Sequence, residues 1–204
     1  MHATALPRLV LGSSSPYRRE LLSRLHLPFD TCSPDIDESP LPGEAPRALA
    51  ARLAQAKAAR VAELQRAAGH ADVLVIGSDQ VADLNGQCLG KPGHHAGATA
   101  QLRAMSGQTV HFHTALTVLR TGTGQAATEV HSVAVTFREL TDSTIARYLA
   151  LEQPYDCAGS AKVESLGIAL LSRVQSDDPT TLIGLPLMAV ARLMREMGLD
   201  PLAA

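Results

Sequence analysis

The stretch Val73-Leu74-Val75-Ile76 constrains this chain more than any other, because it is apolar at every position. A strand with one solvated face alternates, whereas one without alternation is buried on both faces. Such a strand needs covering layers on each side, and the surrounding patterns supply helices. Residues 8–12 (Arg-Leu-Val-Leu-Gly) form a second short apolar strand that runs into Ser13-Ser14-Ser15-Pro16. Ser15 before Pro16 is an N-cap and first-turn pair, and Leu21, Leu22 and Leu25 follow at helical spacing, so a helix is predicted over 16–26.

A strand is expected over 29–33, a proline loop over 39–46, and a long Ala-rich helix over 45–68 that stops near Gly69. A Gly-rich loop at 86–93 leads to a helix over 94–105. Strands over 109–119 and 129–137 flank the turn Thr121-Gly122-Thr123-Gly124. A helix over 142–151, an irregular Gly159-Ser160 stretch, a strand over 167–174 and a helix over 187–197 complete the chain. Strands alternating with helices around one hairpin define an α/β protein with a mixed twisted sheet flanked by helices, read as a single domain over 1–204.

Charge and composition exclude several classes. The 18 Lys+Arg and 20 Asp+Glu leave a net charge of −2, so there is no basic field for nucleic acid, and phosphate recognition rests on a few placed residues. With 46% hydrophobic and 19% charged residues the chain is not a disordered one. Its apolar runs are far shorter than the ~18 residues of a membrane span, and no signal region opens it, so a cytoplasmic protein without membrane partners is expected. Cys32, Cys88 and Cys157 are odd in number and widely spaced, which suits neither a disulfide framework nor a zinc finger.

Four polar segments lie at junctions between elements, where open α/β sheets place ligands. In Gly12-Ser13-Ser14-Ser15-Pro16-Tyr17-Arg18-Arg19, free N–H groups, hydroxyls and paired arginines suit an anion; a plain serine cap beside two solvated arginines is the competing reading. Asp35-Ile36-Asp37-Glu38 suits Mg²⁺ or Mn²⁺ bridging a phosphate, against a solvated acidic turn or the D-x-D of a nucleotide-sugar transferase. Asp79, in Gly77-Ser78-Asp79-Gln80 at the carboxyl end of the central strand, is placed to hold a metal or deprotonate water; capping a following helix competes, but residues 80–84 followed by Asn85-Gly86 read as strand and turn rather than helix. Lys57 projects from the apolar side of its helix, in a row with Leu49 and Leu53, and Lys91 sits in the rigid turn Gly90-Lys91-Pro92-Gly93. His111 and His113 share a strand face, which permits a metal, but an ordinary polar face accounts for them better.

The segments S-S-S-P-Y-R-R-E-L-L (13–22), D-E-S-P (37–40), R-L-A-Q-A-K-A (52–58), G-S-D-Q (77–80), G-K-P (90–92) and G-L-P-L (184–187) occur in the order seen in the Maf family, which the chain resembles over nearly its whole length. The resemblance implies a nucleoside triphosphate pyrophosphatase using a divalent metal, with a fold similar to inosine triphosphatase and a homodimer as the default assembly. It implies metal binding by Glu38 and Asp79, catalysis by Asp79, Lys57, Lys91 and Arg18, and substrate contacts from Ser13 and Arg19. Tyr17, Gln80 and Glu164 occupy the positions that set base specificity, and they resemble the subgroup directed at 7-methyl-GTP, except that this subgroup usually has Trp where Tyr17 stands. A cationic 7-methylguanine stacks well on an aromatic ring, and Glu164 would accept from its N1–H and 2-amino group. The alternatives are a dTTP/UTP or broad-specificity pyrophosphatase, and a non-catalytic nucleotide-binding regulator of cell division.

Overall fold

The computed structural model describes residues 6–203. The elements run β1 (Arg8–Gly12), α1 (Pro16–Ser23), β2 (Asp30–Thr31), α2 (Pro46–Ala67), β3 (Val73–Leu84), β4 (Gln87–Leu89), α3 (His95–Met105), β5 (Thr109–Arg120), β6 (Ala126–Phe137), α4 (Asp142–Glu152), β7 (Leu171–Gln175) and α5 (Leu187–Glu196). All the strands join one seven-stranded mixed sheet in the order β2-β1-β3-β5-β6-β7, with β4 also paired to β3. β1 is parallel to β2 and β3; the other pairings are antiparallel.

The uninterrupted apolar run in β3 is covered on both faces, as its lack of alternation requires. Leu74 and Ile76 pack with β1 residues Leu9 and Leu11 against α1 and α5. Val73 and Val75 turn the other way, onto Ala58, Val61 and Ala62 of α2. Further along the α1 and α5 side, α3 and α4 cover Val110 and Phe112 of β5 and Val133 and Val135 of β6. Ser15 caps α1 as its sequence predicts, accepting from the Arg18 N–H.

β2 is shorter than expected, Asp30–Thr31, and β6 starts earlier, at Ala126; four further differences have a local reason. α1 ends at Ser23 rather than 26, because Leu25 and His26 close with i→i−3 bonds to Leu22 and Ser23 and His26 takes φ 54°. The expected 86–93 loop contains β4, since Asn85 and Gly86 at φ 53° and 85° form a tight hairpin turn from β3. The strand expected over 167–174 begins only at Leu171; the Gly167 N–H bonds to Lys162 O and the chain winds through a 3-10 turn first. β3 itself continues to Leu84, so Asp79 lies within the strand and not at its carboxyl end. Pairing with β5 from Leu74 to Asp83 holds Gly, Ser, Asp and Gln extended despite their low strand preference.

Candidate active site

β3 has a gap along one edge. β5 occupies the other edge throughout, while the near edge is taken by β1 up to Gly77 and by β4 from Ala82. Among the described residues no strand lies beside Ser78–Val81 on that edge, and a cleft of ≈ 810 Å³ opens there. Side chains from both faces of β3 therefore reach one space: Asp79 from the α2 face and Gln80 from the opposite face both line it.

Gly77 sets the approach of α2. A Cβ at this position would fall on the Ala54 carbonyl oxygen and 2.7 Å from the Ala58 nitrogen, so only glycine lets the helix lie on the strand backbone. That contact brings Lys57 alongside Asp79, two residues beyond Gly77 on the same face. The Lys57 ammonium donates to Asp79 Oδ1 at 2.6 Å and contacts Glu38 Oε1 at 2.7 Å. Lys57 and Asp79 are nearly sealed, with side chains 6% and 11% exposed, whereas Glu38 is 56% exposed. The loop carrying Glu38 is held by Arg52 of α2, which donates to Glu44 Oε1 at 2.7 Å and to Ser39 O at 2.9 Å. Its hydrogen bonds hold the Glu44 carboxyl down at about 2.

Arg18 reaches the cleft from the first turn of α1. Its Nε donates to Gly184 O at 2.9 Å and its Nη1 to Ser13 Oγ at 3.5 Å. Burial lowers the Arg18 guanidinium below its ordinary range, and the negative charges of Asp79 and Glu38 work against that. Ser13 is buried and accepts also from the Ser15 N–H at 3.1 Å, so its own hydroxyl proton is left to donate. Lys91 lines the cleft from the turn after β4 and has no ion-pair partner among the described residues.

Another part of the lining is aromatic and acidic. Tyr17, Cys157, Glu164 and Asp156 form it. Burial first, then Cys157, Asp156 and Glu164, push the Tyr17 phenol up to about 12. The Cys157 thiol is also raised to about 12, mainly by burial and then by Asp156, so it stays protonated. Asp156 is partly offset by Lys162 at 4.0 Å.

Two expected substrate contacts sit differently from the rest. Arg19 is exposed and lines an adjoining recess with Glu20, Phe29 and Asp30, outside the cleft that holds Asp79. Gln80 lines the cleft, but its Nε2 donates to Thr114 Oγ1 at 2.8 Å, Leu182 O at 3.1 Å and Thr181 O at 3.2 Å. Its amide nitrogen is thus committed to the 181–184 turn, and only Oε1 is available to a ligand. Asp156, Cys157 and the clamp Arg52 are absent from the expected site set, although Arg52 lies inside the R-L-A-Q-A-K-A segment. His113, with Ser132 at 2.7 Å and Asp83 at 3.2 Å, is an ordinary bonded polar residue of the sheet.

Along the broken strand edge of this mixed sheet, one cleft gathers the three cations Arg18, Lys57 and Lys91, the five carboxylates Asp35, Glu38, Asp79, Asp156 and Glu164, and the Tyr17 ring. The chain belongs to the Maf-like protein family, whose model matches residues 8–197. It is 60% identical to a 7-methyl-GTP pyrophosphatase of Polaromonas sp., over 93% of this chain and 84% of that one. Proteins of the same description from Cupriavidus metallidurans and Cupriavidus pinatubonensis are 57% and 55% identical; the first match covers 97% of each chain and the second 100% of each. A solved nucleoside-triphosphatase (dITP/XTP pyrophosphatase) from Mycobacterium abscessus overlaps 64% of this chain and 72% of its own at 17% identity with a TM-score of 0.34, too small an overlap to bear on fold or activity. Among the described residues no helix is long and apolar enough to cross a membrane.

Proposed function

We propose that this chain hydrolyses 7-methyl-GTP to 7-methyl-GMP and diphosphate. The observation that carries this reading is the pairing, in one cleft, of the Lys57–Asp79–Glu38 group with the Tyr17–Glu164 part of the lining. The names of relatives at 55–60% identity over nearly the whole chain support it.

In this reading Asp79 is the base. Lys57 engages Oδ1, and among the described residues Oδ2 has no partner, so Oδ2 takes a proton from the attacking water. The water oxygen bonds to the α-phosphorus, the bridging α–β P–O bond breaks, and its electron pair leaves with diphosphate. Arg18, Lys57 and Lys91 offset the charge that grows on the phosphate oxygens, and the Ser13 hydroxyl donates to them. The cationic base stacks on Tyr17, for ~0.5–2 kcal/mol on the usual cation–π scale. Glu164 accepts from N1–H and the 2-amino group, and Gln80 Oε1 accepts a further donor.

The residues present fit a divalent metal. Glu38 and Asp79 already converge on a single positive charge, the Lys57 ammonium, at 2.7 and 2.6 Å. Among the described residues no group of three or more His, Cys, Asp or Glu side chains is placed to hold an ion. A two-carboxylate site completed by water and substrate phosphate is the Mg²⁺ or Mn²⁺ pattern. Glu38 and Asp79 would hold the ion, which would supply charge neutralisation on the phosphates. Cytoplasmic action as a homodimer belongs to the same reading, and light scattering on the purified protein tests the assembly.

Turnover in H₂¹⁸O tests the chemistry. Label is expected in the nucleoside monophosphate and none in diphosphate, and Asp79→Asn should fold normally but lose turnover. Label in diphosphate, or near-normal rates in Asp79→Asn, would overturn the mechanism.

A further inference from the structure

The Lys91 turn and the segment that lines the aromatic part of the cleft come from distant parts of the chain, yet they are tied together by one side chain. Gln101, half-buried on α3, donates from Nε2 to Gly90 O at 2.9 Å and accepts at Oε1 from Ser160 Oγ at 2.5 Å. The carbonyl of Gly90 can only accept, so the orientation of the Gln101 amide is fixed and neither atom can swap roles. Gly90 precedes Lys91 directly, and Ser160 lies between Cys157 and Glu164.

Ser160 is fully buried and holds a left-handed φ of 55°, immediately after Gly159 at 70°. A serine in that region is unfavourable without a compensating contact, and the buried hydroxyl bond to Gln101 is that contact. A second tie runs parallel to the first. The Gly93 N–H donates to Tyr155 O at 3.0 Å, and His95 Nδ1 meets the Tyr155 hydroxyl at 3.1 Å. Lys91 is thus anchored on both sides, at Gly90 and at Gly93, to the segment that carries Asp156, Cys157 and Glu164. Lys91 itself has no ion-pair partner among the described residues, and these anchors set where its backbone enters the cleft wall.

We infer that Gln101 is a positioning residue that couples base recognition to phosphate binding: the base-side segment sets the Lys91 turn through the Ser160–Gln101–Gly90 bridge. The inference rests on the reading above for which part of the cleft takes the base and which takes the phosphates, though not on which base it is. Breaking the bridge releases Gly90 from the base-side segment and leaves Lys91 tethered on one side only, through the Gly93–Tyr155 bond, and it removes no side chain that touches the substrate.

Inorganic diphosphate, which carries no base, probes phosphate binding alone. Calorimetry in Mg²⁺ should show Ser160→Ala and Gln101→Met each weakening diphosphate binding by about threefold to tenfold, the scale of one lost hydrogen bond or two. The double variant should lose no more than either single one, because both break the same bridge. In turnover, kcat/KM should fall by about the same factor, with KM rising because the weakened phosphate contact is already made in the bound ground state, and the ratio of rates between preferred and non-preferred bases should narrow. Ser160→Ala lies across the bridge from Lys91 and does not alter α3, so it carries the test if Gln101→Met folds poorly. Wild-type diphosphate affinity in Ser160→Ala would overturn the inference, as would additive losses in the double variant. A preference for another nucleotide would overturn the 7-methyl-GTP reading and leave the diphosphate result untouched.

Discussion

Lys57→Met isolates the buried ion pair at the heart of the cleft. Methionine keeps an unbranched apolar stem, so packing against α2 and β3 changes little while the ammonium is lost. Two carboxylates then lose their partner, with unequal consequences. Glu38, 56% exposed, turns to water, and an exposed pair of this kind is worth about 1 kcal/mol at most. Asp79, 11% exposed, has no such escape, and deleting one partner of a buried pair costs about 3–5 kcal/mol. Arg18 feels the charge of Asp79 and offsets part of that loss, which places the expectation near the lower end, about 3 kcal/mol. For a chain of this size that is a fall in Tm of roughly 6–12 °C. Adding Asp79→Leu removes the stranded charge, and an apolar replacement of a whole buried pair is about neutral, so the double variant should regain most of the loss. Urea and thermal melts of the four proteins give the coupling directly. A Lys57→Met protein melting within about 2 °C of wild type, or a double variant that is simply the sum of the two, would refute this account of the pair.

Gly77→Ala should be costly despite adding one methyl group, because its Cβ meets α2 backbone; a loss of about 3 kcal/mol or more is expected in melts, with activity falling as Lys57 is displaced. Glu164→Gln should lower kcat/KM for 7-methyl-GTP by about one to two powers of ten while UTP turnover falls far less, since charge-assisted bonds are worth ~1.5–3 kcal/mol. Equal losses for both nucleotides would mean Glu164 supports its loop rather than reads the base. Glu44 has its carboxyl held near 2 against an ordinary 4.5, so the stability it adds is present above pH 4.5 and disappears as pH falls from 4.5 towards 2. Thermal melts of Glu44→Gln should therefore lie below wild type at pH 6 and converge with it near pH 2; a constant gap across that range would contradict the Arg52 clamp.

What the sequence made legible was mostly local chemistry. Ser15-Pro16 marked the start of α1, the unbroken apolar run marked the β3 core, and Thr121-Gly122-Thr123-Gly124 marked the turn between β5 and β6. Where local preference and long-range pairing disagreed, pairing won. Gly77, Ser78, Asp79 and Gln80 read as the end of a strand, yet ten consecutive partners in β5 keep β3 extended through them. Gln80 to Leu84 followed by Asn85-Gly86 reads as strand and turn, and both are there; only the returning partner, β4, was hidden in the Gly-rich loop. Within the site, Ser13, Arg18, Glu38, Lys57, Asp79 and Lys91 announced themselves by residue type and junction position, and all line the cleft. The carboxylate partnership of Lys57 did not, because its ligands come from a loop and a strand far apart in sequence. Arg19 looked equivalent to Arg18, but one helical step of about 100° turns it into the neighbouring recess. Gln101 gave no signal at all: a glutamine on an amphipathic helix is unremarkable until the two loops it joins are seen side by side.

The central claim is tested most directly by diphosphate release from a panel of 7-methyl-GTP, GTP, dTTP and UTP, each at the same subsaturating concentration in Mg²⁺. 7-Methyl-GTP is expected to give the highest kcat/KM, with the pyrimidine nucleotides well behind it. Faster release from UTP or dTTP would contradict the assignment of Tyr17 and Glu164 to a cationic purine.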